Sequence, residues 1–298
     1  MSHRLFVPTL AALLLIAALS ATAEAQTPHP SFAVTVTGKG PAILLIPGLL
    51  STGEVWDTTV ARYQDRYTLH VLTLAGFGGP PPVGAPFLSR VRDEVITYLR
   101  EQKLTRTIIV GHSLGGFLGF WIAATAPELV GGLVAVDGVP FLPALGNPAA
   151  TADSAKAQAE QIKAIYASLS NAQLVAQTRM ALGMMITAPA HVEQALAWTA
   201  KSDSATAGLA VAELSTTDIR AATASITAPA LLIGASGAAP DAMRPGMAKA
   251  YEAQVSLVRH ARVIMADKAR HFIMFDDPSF LFAALDQFLS DRRTGVED

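Results

Sequence analysis

The sequence contains no cysteine. Disulfides, thiolate metal sites and thiol nucleophiles are therefore excluded together, whichever redox compartment the chain occupies. An excess of charge is also missing: 22 Lys and Arg stand against 24 Asp and Glu, a formal net charge of -2. No basic patch stands out, so nucleic acid is not an expected partner. The seven histidines are scattered, with no pair at metal-ligand spacing, and no metal is expected. Internal repeats are lacking as well. What the chain does have is apolar residues, 51% of 298, enough to bury one large core or a core carrying an insertion.

Residues 1–25 follow their own pattern. His3 and Arg4 precede an almost wholly apolar run over 5–19, and Ala21-Thr22-Ala23-Glu24-Ala25 offers small residues for a signal peptidase. The run is shorter than the ~20 residues a bilayer demands and contains Pro8, so a cleaved secretory signal peptide is expected rather than an anchor. Cleavage after Ala25, with no cysteine there to carry a lipid, predicts an exported chain. It would be periplasmic or secreted, with no stable membrane anchor after processing.

Residues 32–36 alternate apolar with polar or small side chains before Gly38-Lys39-Gly40-Pro41, which predicts a strand entering a hairpin. Residues 42–46 are continuously apolar up to Pro47-Gly48, as in a strand covered on both faces. A helix is predicted over 54–63 and a strand over 67–74. After the rigid turn Gly76-Phe77-Gly78-Gly79-Pro80-Pro81-Pro82 comes an amphipathic helix over 87–102, where Leu88, Val91, Val95, Ile96 and Leu99 share a face. No phosphate-loop lysine follows those glycines, so they read as a turn. Strand 107–110, helix 114–126 stopped by Pro127, and strand 132–136 continue the alternation. The pattern predicts the α/β class: a mostly parallel sheet with helices on both faces.

From 141 to 225 no convincing strand occurs, and helical patterns cover 155–169, 172–185 and 191–201. So long a stretch is not a bare loop. It reads as an inserted helical cap. A strand near 229–233, a helix near 241–253, a strand near 262–265 and a helix over 278–289 complete the chain. The expected organisation is thus a signal peptide, 1–25, a core made of 26–140 and 226–298, and a cap, 141–225.

The chemistry centres on Gly111-His112-Ser113-Leu114-Gly115, which lies between a β-branched run and a helical pattern. A serine on so sharp a strand-to-helix turn needs glycines two residues away on either side to relieve crowding. Ser113 is the candidate nucleophile. Its hydroxyl is protonated at neutral pH and requires a neighbouring base. Leu114, at the helix N-terminus, offers a backbone N–H for an oxyanion.

Four features together resemble the α/β-hydrolase family, in its serine hydrolase and esterase branch with a helical cap. They are Ile46-Pro47-Gly48-Leu49, the Ser113 elbow, Asp137 after a strand, and Ala269-Arg270-His271-Phe272 ahead of Asp276-Asp277-Pro278. They occur in the family's order of nucleophile, acid, histidine. The resemblance, running from about 32 to 289, implies an α/β-hydrolase fold, His271 as the base and the Leu49 amide as the second oxyanion donor, with Leu50 as the alternative donor. His112 is assigned to packing. In most relatives the acid follows the strand at 230–233, but Gly234-Ala235-Ser236-Gly237-Ala238 holds no carboxylate. Some relatives, among them a branch of haloalkane dehalogenases, place it before the cap, and Asp137 matches that position. Asp137 is preferred, with Asp241 as the alternative acid.

Phe141, Leu142, Met180, Met184, Met185 and Trp198, with Trp56, are apolar residues available to line a substrate pocket. The expected activity is cleavage of a carboxylic ester through an acyl-enzyme, on a small to medium apolar molecule and without cofactor. A lactonase with the same triad is the alternative enzyme. A non-catalytic ligand-binding receptor on this fold is the alternative from another class.

Overall fold

The continuously apolar segments form the middle of a sheet and the alternating one forms its edge. The computed structural model describes residues 29–294, and the expected signal peptide lies outside them. Seven strands run β1 (Phe32–Gly38), β2 (Ala42–Ile46), β3 (Thr68–Leu74), β4 (Thr107–His112), β5 (Val130–Val136), β6 (Ala230–Ala235) and β7 (Ala261–Ala266). Their spatial order is β1-β3-β2-β4-β5-β6-β7, with β1 antiparallel to β3 and every other pair parallel. The mostly parallel α/β sheet expected from the sequence is what forms.

The hairpin expected between β1 and β2 does not. Phe32 pairs with Leu74 and Gly38 with Thr68, so β3 separates the two strands. The reason lies in burial. Residues 43–46 of β2 are at most 2% exposed and need a parallel strand on each side, supplied by β3 and β4. Strand β1, with its exposed alternate residues, is suited to the edge.

Successive side chains of each strand enter opposite layers. Leu44, Ile46, Leu72, Ile109, Leu133 and Leu232 pack with helices α2 (Leu88–Glu101) and α3 (Leu114–Thr125). Ile43, Leu45, Leu69, Val110, Val134 and Ile233 pack with Tyr63 of α1 (Asp57–Tyr63), and with the last helix, through Leu281 and Leu285. Helices therefore cover both faces, and the C-terminal ends of the parallel strands converge on one edge.

Between β5 and β6 the chain is helical: α4 (Pro143–Gly146), α5 (Ala152–Ser168), α6 (Asn171–Met185), α7 (Pro189–Thr199) and α8 (Ser204–Thr216). Helix α8 has no counterpart among the helices expected from sequence. Its buried positions are Thr206, Ala207, Gly208, Ala210 and Ala212, so small residues pack where an apolar stripe would have signalled a helix. It also places Glu213 at the start of α2, where the carboxylate accepts the N–H groups of Phe87 and Leu88 at 2.8 and 2.7 Å. A helix start otherwise lacks backbone acceptors, so this contact ties the segment to the sheet layer. After β6 come α9 (Arg244–Gln254), β7, the short α10 (Ile273–Asp276) and α11 (Pro278–Thr294).

Candidate active site

Ser113 sits between β4 and α3 with φ 54 and ψ -117, a left-handed conformation that costs energy in any residue but glycine. Close approach on both sides holds it there. A Cβ on Gly115 would come within 2.2 Å of the Ile46 carbonyl oxygen, and one on Gly138 within 2.2 Å of the Ser113 carbonyl oxygen. The Ser113 N–H donates to Val136 O at 2.9 Å, which fastens the turn to the end of β5. Leu50 and Asp137 are the other positive-φ residues of this region, at φ 56 and 52. Three strained residues thus converge on one strand edge.

The loop after β2 runs directly against Ser113. A Cβ on Gly48 would lie 3.2 Å from Ser113 Cβ. That brings Leu49 and Leu50 to the serine, and both line the same cavity as Ser113 and Leu114. The Leu114 N–H is at the first position of α3, where no carbonyl lies one helical turn back to accept it.

His271 follows β7 and lines the cavity with Ser113. Its Nδ1 is 2.6 Å from Asp137 Oδ2, a charge-assisted contact across 134 residues of sequence. Asp137 is held from three sides. Its Oδ1 accepts the Ala235 N–H at 2.8 Å and the Tyr251 hydroxyl at 2.5 Å, and its own N–H donates to Ile233 O at 2.7 Å. Burial pushes the Tyr251 phenol well up, and the neighbouring Asp137 charge adds to the shift, so the hydroxyl stays a donor. The strand end that lacks its own carboxylate thus supplies, at Ala235, an N–H that orients the carboxylate of the neighbouring strand. Asp241 is elsewhere: its side chain is 94% exposed and 3.3 Å from Arg244.

The loop carrying His271 is fastened to the end of α6. Asp276 accepts the N–H of Arg270 at 3.0 Å and both the N–H and hydroxyl of Thr187 at 2.9 Å, while Arg270 Nη1 donates to Gly183 O at 2.9 Å. His112, assigned to packing from the sequence, does more than fill space. It is fully buried, its Nε2 lies 3.1 Å from the His271 carbonyl oxygen, and the two rings are 4.7 Å apart. Burial, with the charge of His271 as a second cause, holds the His112 imidazole well below its ordinary pKa. It is therefore neutral, and Nε2 carries the hydrogen donated to that carbonyl.

The cavity measures about 390 Å³. Leu142 lines it as expected, but Trp56, Phe141, Met184 and Trp198 do not. Trp56 is fully buried beneath the sheet's second layer. Phe141 forms a small separate cluster with Ala144 and Ala150, under the Arg220 guanidinium. Trp198 packs in the same layer as Trp56 and donates its indole N–H to Glu54 at 2.8 Å. Met184 points to solvent at 71% exposed, as does Met180 at 76%. Composition identified apolar residues without telling which face each would occupy. Met185 lines the cavity as expected, joined by Leu182, Leu214 and Phe272, with Tyr166, Gln177, Thr178 and Thr199 among its polar side chains. Among the described residues no Asp, Glu, Lys or Arg lines it. Among the described residues no group of His, Asp and Glu could hold a metal ion.

A family model described as "Alpha/beta hydrolase family" matches residues 43–285. The chain belongs to the alpha/beta hydrolase family. Among curated relatives, this alpha/beta hydrolase is 33% identical over 103 residues to the pimeloyl-[acyl-carrier protein] methyl ester esterase of Vibrio campbellii, covering 35% of this chain and 39% of the relative. It is 30% identical over 135 residues to the 2-(acetamidomethylene)succinate hydrolase of Mesorhizobium japonicum, covering 44% of this chain and 49% of the relative. These alignments span less than half of either relative. Among solved structures, the enol-lactonase of Burkholderia xenovorans superposes with TM-score 0.69 at 18% identity, over 87% of this chain and 96% of that one. An esterase of Thermogutta terrifontis does so with TM-score 0.66 at 16% identity, over 88% and 93%. At that identity the likeness concerns the fold.

Proposed function

We propose that this alpha/beta hydrolase is a serine hydrolase that cleaves an uncharged, small to medium carboxylic ester through an acyl-enzyme. The observation that carries the reading is the 2.6 Å contact between His271 Nδ1 and Asp137, at a cavity that Ser113 also lines. With Asp137 holding the proton of Nδ1, the opposite ring nitrogen is free to take the proton of Ser113. The Ser113 Oγ attacks the ester carbonyl, and the N–H groups of Leu49 and Leu114 stabilise the resulting oxyanion. His271 returns the proton to the departing alcohol. Water, deprotonated by the same imidazole, then releases the acid and restores the serine. A lactone ring opens by identical steps.

The lining supports an uncharged substrate. A free carboxylate on the substrate would find no Lys or Arg among the described lining residues, and an unpaired charge taken out of water costs several kcal/mol. The test is a stopped-flow series on straight-chain p-nitrophenyl esters, size-matched hemi-esters and lactones. A burst of nitrophenol at enzyme stoichiometry is expected, with kcat/KM on the hemi-esters lower by about a hundredfold. No burst and no turnover on any ester or lactone would leave the ligand-binding receptor as the reading.

The apolar run over 5–19 and the small residues at 21–25 support export of the chain, periplasmic or secreted. Expression of the full sequence is expected to yield an extracytoplasmic product whose N-terminal residue, by Edman sequencing, is Gln26. A product retaining Met1 in the membrane fraction refutes cleavage.

A further inference from the structure

A second cavity, of about 370 Å³, opens at the opposite end of the sheet from Ser113. Ser113 follows the C-terminal end of β4, whereas this cavity gathers Arg106 just before β4, residues 229–231 at the start of β6, His260 and Arg262 at the start of β7, and the last turns of α11. The six residues of β4 separate the two by about 20 Å.

Its lining is as charged as the other's is neutral. Arg106, Arg262 and Arg292 line it together with His260, and Asp291 is the one carboxylate among the lining residues. Arg106 is held in the left-handed region at φ 54. A Cβ on Gly131 would lie 2.1 Å from the Arg106 carbonyl oxygen, at the point where the β4–β5 register shifts, so a bulge in the sheet fixes this residue at the rim. Arg292 lies 5.9 Å from the Phe288 ring centre and against Gly132, where a Cβ would come within 3.0 Å of Nη1. That Nη1 is buried and has no hydrogen-bond partner among the described residues. A buried guanidinium N–H without an acceptor is costly and rare in folded proteins. Burial, and secondarily the charge of Arg106, lowers the pKa of Arg292, so like charges already press on one another here.

We propose that this cavity is an anion site, which takes a phosphate or comparable multivalent oxyanion between the guanidiniums of Arg106, Arg262 and Arg292. Such a ligand pairs with the guanidinium N–H groups that line the cavity and offsets the repulsion between Arg292 and Arg106. Planar guanidiniums bind tetrahedral oxyanions with paired N–H donors, which sets this chemistry apart from a halide or a lone point charge. The site is separate from ester cleavage, since none of its residues lines the Ser113 cavity.

The probe is inorganic phosphate, titrated calorimetrically into the full chain at constant ionic strength maintained with chloride. Saturable one-site binding is expected. Arg106→Gln and Arg262→Gln, both at exposed positions, are each expected to weaken it by about tenfold while leaving ester turnover unchanged. Residues 295–298 include Glu297 and Asp298, a carboxylate source within the chain itself. The same titration on a chain ending at Thr294 separates the two sources: tighter phosphate binding there identifies the chain's own carboxylates as competitors for the site. The proposal is overturned if neither chain binds phosphate saturably, or if binding survives both substitutions undiminished.

Discussion

Ser113→Ala is expected to lower kcat for ester cleavage by about a millionfold while the protein still folds. Ser113 and Ser51 are the serines lining the cavity, and the hydroxyl of Ser51 is 3.3 Å from the Leu49 carbonyl oxygen. Ser51 is therefore not a ready substitute. Removing one oxygen leaves the φ of 54 and its cost much as they were, because serine and alanine both carry a Cβ in the left-handed region. The glycines around the turn, and the bond from residue 113 N to Val136 O, are untouched. A residual rate of about a thousandfold over water should persist from the Leu49 and Leu114 donors and from binding. Steady-state kinetics and urea unfolding on the same preparation check both halves. A variant that keeps its rate within about tenfold of the parent sinks the mechanism.

Asp137→Asn is expected to lower kcat by about ten-thousandfold, for a reason specific to this site. The Oδ1 of Asp137 accepts two hydrogen bonds, one from the Tyr251 hydroxyl and one from the Ala235 N–H. The hydroxyl can turn and accept; the backbone N–H cannot. An asparagine will therefore keep its oxygen toward Ala235 and present its NH2 group to His271 Nδ1, which must then accept. The ring proton moves to the nitrogen that ought to receive the Ser113 proton, and the base is lost without displacement of the ring. Asp241→Asn, at an exposed side chain paired with Arg244, should leave kcat essentially unchanged. The opposite ranking of the two variants would transfer the role of acid to Asp241.

The legible features are those created by neighbours in sequence. The Ser113 turn announces itself because strand, strained serine and helix must follow within a few residues, and only glycine tolerates the contacts at Gly115 and Gly138. His271 can be placed because it follows a strand and precedes a helix start at Asp277-Pro278. Tyr251 leaves no such trace. It sits in α9 as one aromatic among helical residues, and its bond to Asp137 spans 114 positions. The empty stretch Gly234-Ala235-Ser236 signals that the acid comes from elsewhere, but not which backbone N–H will hold it. Helix α8 and its Glu213 escaped notice because small residues, rather than a periodic apolar stripe, pack that helix.

The sequence by itself determined that no thiol chemistry operates, that strands and helices alternate into a mostly parallel sheet, and that a serine is forced onto a sharp turn at the end of a strand. Those properties follow from composition and from periods of two and 3.6 residues, which are local. Tertiary structure alone decided that Asp137 rather than Asp241 meets His271, that β1 pairs with β3 rather than β2, and that Leu182 and Leu214 face the cavity while Trp56, Phe141 and Trp198 are packed away. Each of these depends on which distant surfaces bury one another, and burial is a property of the assembled layers that no single stretch of chain carries.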